Sequence, residues 1–155
     1  MIKKHKRGVT VVEILIYLGL MSIFMLVLVD GFVTAANFKL ESESASTIQS
    51  DSQFILAKLA NDVANSDSLS VSGNNLILSS GTYSLSVDGD LTLQSGIVSK
   101  KVNGLDTKLV NLTFTKLGNL NGVPTVQVKF DIESRITKQG NIKEIRSYQT
   151  TLGLR

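Results

Sequence analysis

Lys3-Lys4-His5-Lys6-Arg7-Gly8-Val9-Thr10-Val11-Val12-Glu13-Ile14-Leu15-Ile16-Tyr17-Leu18 is the stretch that decides how the chain is read. A short basic leader ends in Gly8, and an apolar run then continues to Val29. Between Val9 and Val29 only Thr10, Glu13 and Ser22 are clearly polar. As a helix this run would span about 31 Å at about 1.5 Å per residue, close to the ~30 Å hydrocarbon core of a bilayer. A buried helix of a small soluble domain rarely needs so long an apolar run.

The basic residues Lys3, Lys4, Lys6 and Arg7 lie immediately before the run, so the N-terminus is expected to stay cytoplasmic and the C-terminal part to cross. Glu13 is the anomaly. An acidic residue near the centre of a membrane helix costs roughly 2.5–3.5 kcal/mol, and less near the interface. Two readings are open. Glu13 is either an interfacial carboxylate tolerated on a plain signal anchor, or a group placed there for use. A cut after Gly8 would give Val9 a free α-amine one helical turn from Glu13. That amine and that carboxylate would neutralise each other, within one chain or between neighbours.

Taken together, the leader, Gly8-Val9-Thr10-Val11-Val12-Glu13-Ile14-Leu15 and the apolar run resemble the class III signal of type IV prepilins and pseudopilins. That family has a basic leader, Gly before the cut, an apolar first residue, Glu at the fifth mature position and a long apolar helix. The resemblance implies that a prepilin peptidase cuts between Gly8 and Val9 and N-methylates Val9. It implies that Glu13 forms an assembly salt bridge with the amine of a neighbouring subunit. It also implies a set of partners: the peptidase, other pilin or pseudopilin subunits, an inner-membrane assembly platform and the lipid bilayer. The location implied is the cytoplasmic membrane, then a pilus or pseudopilus at the cell surface or in the periplasm. Val9 stands where the family usually has Phe or Met. A rival signal, Val33-Thr34-Ala35 before Ala36, has small residues suited to signal peptidase I. Against it, the apolar run is longer than an ordinary signal-peptide core and holds Glu13.

The chain has 155 residues, enough for one membrane helix and one small domain. Its net charge of +3 misleads, because four of its sixteen basic residues lie in the leader. The remainder is near neutral, with no basic stripe for nucleic acid, and no direct nucleic-acid binding is expected. There is no cysteine, so an exported domain relies on its core or its partners. The only histidine is His5, in the leader. Without it the chain offers no Ser–His–Asp triad, no Cys–His pair and no ordinary zinc site, and neither an enzyme nor a cofactor is expected.

Beyond Asp30-Gly31 the helical pattern continues. Ile48, Ser52, Ile55, Leu59 and Val63 share one face, with Leu56 and Ala60 beside them. Glu41, Glu43, Asp51, Lys58 and Asp62 lie mostly elsewhere. The Ser-rich run from Ser42 to Ser50 reads as weak helix or as linker. Asn65-Ser66-Asp67-Ser68 ends the helix. From Leu69 the pattern alternates, with short strand-like pieces at 76–78, 82–87, 91–93 and 97–99. Turn pairs separate them, and Asp88-Gly89 is the best two-residue hairpin candidate. Three longer strands follow, with Val110, Leu112 and Phe114, then Val126, Val128, Phe130 and Ile132, then Tyr148, Thr150, Leu152 and Leu154 alternating. The expected fold class is α+β: one long N-terminal helix packed on an antiparallel sheet. The expected organisation is a leader at 1–8, a transmembrane half-helix at 9–29, an extramembrane half-helix at 30–65 and a sheet domain at 66–155. Type IV pilin-like proteins have this architecture, so the resemblance covers both halves. Leu56-Ala57-Lys58-Leu59-Ala60-Asn61-Asp62-Val63-Ala64 further resembles the helix end of minor pseudopilins of the J class and related minor pilins and competence pseudopilins.

Weaker candidates complete the inventory. Asp88 and Asp90 are a faint calcium pair, although Asp-Gly-Asp is ordinary hairpin chemistry. Asn111-Leu112-Thr113 matches a glycosylation sequon inside a strand. Lys100-Lys101 reads as a solvated loop. The function expected is that of a minor pilin or pseudopilin subunit. The alternative is a bitopic, membrane-anchored binding module that never polymerises.

Overall fold

A computed structural model describes residues 10–118, 122–138 and 140–155. They form one helix, α1 (Val11–Ala64), and eight strands. The strands are β1 (Leu69–Ser72), β2 (Asn75–Leu78), β3 (Gly81–Leu85), β4 (Leu91–Ser95), β5 (Val98–Lys101), β6 (Thr107–Leu117), β7 (Thr125–Ser134) and β8 (Ile145–Gly153). The class is α+β, as expected. The chain divides into two compact units, Met1–Lys39 and Leu40–Arg155, and α1 contributes to both.

In the first unit nearly every described residue is exposed. The most apolar 18-residue window of α1 has a mean hydropathy of 2.5 and is not buried at all. By length and composition α1 can cross a membrane, and its apolar side chains need lipid or protein around them. The Ser22 hydroxyl is satisfied locally, donating to the Leu18 carbonyl at 2.8 Å. That back-bond is how a hydroxyl is tolerated in an apolar helix. Helix continues through Gly31 and through the Ser-rich run, which is therefore not a linker.

In the second unit the helical stripe read from the sequence is the core. Ile48, Ile55, Leu59 and Val63 have no exposure, and Leu56 packs partly buried beside them. They meet Leu76, Tyr83 and Leu91 from one sheet and Leu109, Leu112, Phe114, Val126, Val128, Phe130 and Ile132 from another. The single meander expected from the sequence is in fact two antiparallel sheets, β1-β2-β3-β4-β5 and β6-β7-β8. The break falls at Val102–Asp106, where the buried Asn103 side chain takes over the hydrogen bonding of a strand. Its amide oxygen accepts from Leu91 N–H, and its amide nitrogen donates to the Thr107 carbonyl, both at 2.8 Å.

Three details differ from the sequence expectation. Val110 is 44% exposed, while Leu109 is buried. A β-bulge between Leu109 and Asn111 inserts one residue, which reverses the side-chain parity along β6. At the bulge Leu109 N–H donates to the Gly89 carbonyl at 2.7 Å. Asp88-Gly89 is not a two-residue hairpin. Ser86 N–H donates to the Asp90 carbonyl at 2.8 Å, so the loop is Val87-Asp88-Gly89, with Gly89 at a φ of 79°. A Cβ on Gly89 would stand 2.8 Å from the Leu109 carbonyl oxygen, so this approach requires glycine. The strand expected at 97–99 is shifted. Gly96-Ile97 forms the two-residue turn, and Lys100-Lys101 belong to edge strand β5 rather than to a loop.

Leu59→Ala should lower the stability of a soluble fragment comprising residues 40–155 by about 2–5 kcal/mol, because it empties a fully buried site. Urea unfolding followed by circular dichroism measures this. An unchanged midpoint would remove this helix face from the core.

Candidate functional site

α1 begins at a capped turn. The Thr10 hydroxyl accepts Glu13 N–H, and the Thr10 carbonyl accepts Ile14 N–H, each at 3.2 Å. Thr10 is therefore the N-cap and Glu13 the third helical residue, the Thr-x-x-Glu spacing of a capping box. In a complete box the Glu carboxylate returns to the N–H of its cap. Here it points the other way, and the Tyr17 hydroxyl donates to Glu13 Oε1 at 3.3 Å. Tyr17 lies one turn deeper in the apolar run, beside Ile14, Leu18, Met21 and Phe24 along a shallow apolar groove of the helix. The positive end of the helix favours a carboxylate in the first turn. Sequence reasoning marked Glu13 and missed both Thr10 and Tyr17. The signals were present, in the cap spacing and in the i, i+4 separation of Glu13 and Tyr17.

The other expected residues of this end lie outside the described residues: Gly8 and Val9, and the basic Lys3, Lys4, Lys6 and Arg7. Val33, Thr34, Ala35 and Ala36 all lie within α1.

Asp88 and Asp90 occupy the β3–β4 turn, where Asp90 serves as an anchor for cations of the protein itself. Lys101 Nζ and an Arg135 guanidinium nitrogen each approach Asp90 Oδ1 at 2.9 Å. Burial raises the Asp90 pKa, but hydrogen bonds from Lys101 and Asn103 and the charges of Lys101 and Arg135 outweigh it, leaving it below the ordinary value. Among the described residues no cluster of three or more His, Cys, Asp or Glu could hold a metal ion. Asn111, the sequon residue, lies in β6 with its amide donating to Asp131 Oδ2 at 2.7 Å.

Two helix carboxylates read as lying mostly off the apolar face bond to the sheet unit. Asp51 accepts Gly104 N–H at 2.8 Å and the Thr107 hydroxyl, tying α1 to the crossing between the sheets. A Cβ on Gly104 would come within 2.5 Å of Asp51 Oδ2. Asp62 is 9% exposed, pairs with Lys58 at 2.8 Å and accepts the buried Tyr83 hydroxyl at 2.5 Å. Burial raises the Asp62 pKa, but Lys58 and Tyr83 lower it by more, so the carboxyl sits below its ordinary value. For Tyr83, burial and the Asp62 charge push the phenol far up. A third polar tie closes the helix end, where Ser79 N–H donates to Ser66 Oγ at 2.9 Å and Asp67 N–H donates to Ser79 Oγ at 3.1 Å.

Comparison with protein-family models, with curated proteins and with solved structures finds no match.

The depressed carboxyl of Asp62 contributes stability that is present above the ordinary aspartate pKa and lost as pH falls through its lowered folded-state value. Asp62→Asn should therefore destabilise the 40–155 fragment by about 1–3 kcal/mol at neutral pH. The deficit should shrink as pH is lowered toward about 3. Thermal unfolding across that range measures it, and a deficit independent of pH would assign the effect to packing instead of charge.

Proposed function

We propose that the chain is a minor subunit of a type IV pilus or a related pseudopilus, processed at Gly8 and assembled through its N-terminal helix. The observation that carries the reading is Glu13, a carboxylate in the first turn of a helix whose apolar surface has no cover of its own. Support comes from the leader and cut-site residues Lys3 to Val9, and from the α+β unit that follows. The mechanism follows from electrostatics in a poor dielectric. Subunits lie side by side in the membrane, and the Val9 amine of one chain meets Glu13 of another. Each group neutralises a charge that lipid solvates badly, so lateral association is favoured over isolation. The apolar faces of neighbouring helices then replace lipid as the helix is drawn out.

Processing supplies the first test. N-terminal mass spectrometry of the membrane-extracted protein should find a chain beginning at a methylated Val9, and Gly8→Val should accumulate the full-length precursor. An unprocessed native chain would favour a bitopic anchor for the exported unit.

Replacing Glu13 with Leu separates assembly from insertion. The substitution removes the desolvation cost, so insertion and cleavage should be as good or better. Incorporation into filaments should fall severalfold, since the amine of the neighbour stays charged in an apolar bundle. Comparison of membrane and sheared-filament pools, with a count of filaments, measures this. Normal incorporation and filament number for Glu13→Leu would end the proposed role.

A further inference from the structure

We infer that Tyr17 is a positioning residue that holds the Glu13 carboxylate within its own chain while the protein is in the bilayer, and releases it on assembly. The inference rests on the assembly role proposed for Glu13. Its starting point is the direction of the carboxylate. Thr10 provides the cap half of a capping box, yet Glu13 does not close the box and turns one helical turn deeper, to the Tyr17 hydroxyl at 3.3 Å. The residues that line the groove with Tyr17, Ile14, Leu18, Met21 and Phe24 among them, carry no side-chain donor. In a lipid surround Tyr17 is thus the donor that α1 itself offers to Glu13 among the described residues.

The geometry also says why this bond is provisional. A hydrogen bond of 3.3 Å to a carboxylate is long against the 2.5–2.7 Å typical of O–H···O⁻ contacts. It occupies one of roughly four acceptor positions on the carboxylate. An ammonium group brings a full charge and up to three donors, so it takes precedence when a neighbour presents one. Tyr17 lowers the cost of a waiting carboxylate without saturating it. A tighter clamp would hold Glu13 back from assembly, and no clamp would leave it seeking any cation in the membrane.

The test uses the full chain in phosphatidylcholine vesicles, with tyrosine labelled by carbon-13 at Cζ. The chain has three tyrosines, and Tyr17→Phe identifies the Tyr17 signal by its loss. Solid-state magnetic resonance of the Glu13→Gln chain should show the Tyr17 Cζ signal moved, with those of Tyr83 and Tyr148 in place. A Tyr17 signal indifferent to the Glu13 carboxylate overturns the inference, whatever the fate of the filament reading. In cells, Tyr17→Phe should raise the ratio of filament to membrane pools by about threefold, the scale of a hydrogen bond lost from one membrane state only. In the Glu13→Leu background the same substitution should change nothing. A ratio that falls or stays level in Tyr17→Phe overturns the release step. A wild-type chain that is never processed or assembled removes the filament reading instead, and the resonance measurement still decides the pairing.

Discussion

The segment of α1 from Leu40 to Ala64 has to fill, with one narrow stripe, the space under two sheets. Ile48, Ile55, Leu59 and Val63 are spaced seven, four and four residues apart, so they stand in line on one face and are fully buried. Neither sheet has another element to cover its apolar face among the described residues. Without the stripe, Val126, Val128, Phe130 and Ile132 of β7 would face water together. At roughly 1.5–3 kcal/mol for each buried aliphatic side chain, these contacts dominate whatever a cysteine-free domain of this size has to hold it together.

Hydrophobic contact does not by itself fix where along the helix each sheet sits. Polar ties that each include a buried group do that. Asp51 reaches Gly104 and Thr107, Asp62 reaches Tyr83, and Ser66 reaches Ser79. Each bond joins the helix or its end to a different part of the sheets, and each leaves a buried polar group unsatisfied if the register slips. Asn103 performs the same service between the sheets, and the bond from Leu109 N–H to the Gly89 carbonyl adds to it. In this way a fold with no disulfide acquires a unique arrangement from a few directional contacts.

The helix stripe and strand β7 are legible in the sequence because each follows one period without interruption. β8 is also legible, although Tyr148 and Leu152 are only partly buried, as befits an edge strand. β6 is misread by one residue from Val110 back, since a bulge changes parity without leaving a compositional mark. The ties made by Asp51 and Asp62 are not legible in the sequence, because their partners lie 56 and 21 residues along the chain. The division into two sheets has the same cause: Asn103 looks like a loop residue until the backbone groups it satisfies are known. At the N-terminal end the sequence marks Glu13, because one carboxylate in an apolar run is visible from composition alone. The direction it faces requires geometry.

Glu13 and Asp62 sit on the same helix, and each accepts a hydrogen bond from a tyrosine. Their remaining capacity sets them apart. Asp62 is met by the Lys58 ammonium, the Tyr83 hydroxyl and the Asn61 amide, and is almost out of reach of any further group. Its charge is answered within the domain, and its role is confined to holding α1 under the sheet. Glu13 has one long bond to Tyr17 and no cation near it among the described residues. A carboxylate in that condition is expensive to keep in an apolar surround, and the expense is removed by one positively charged donor. Asp62 is thus an acid of α1 answered by its own fold, while Glu13, among the described residues, keeps acceptor capacity that the fold does not fill.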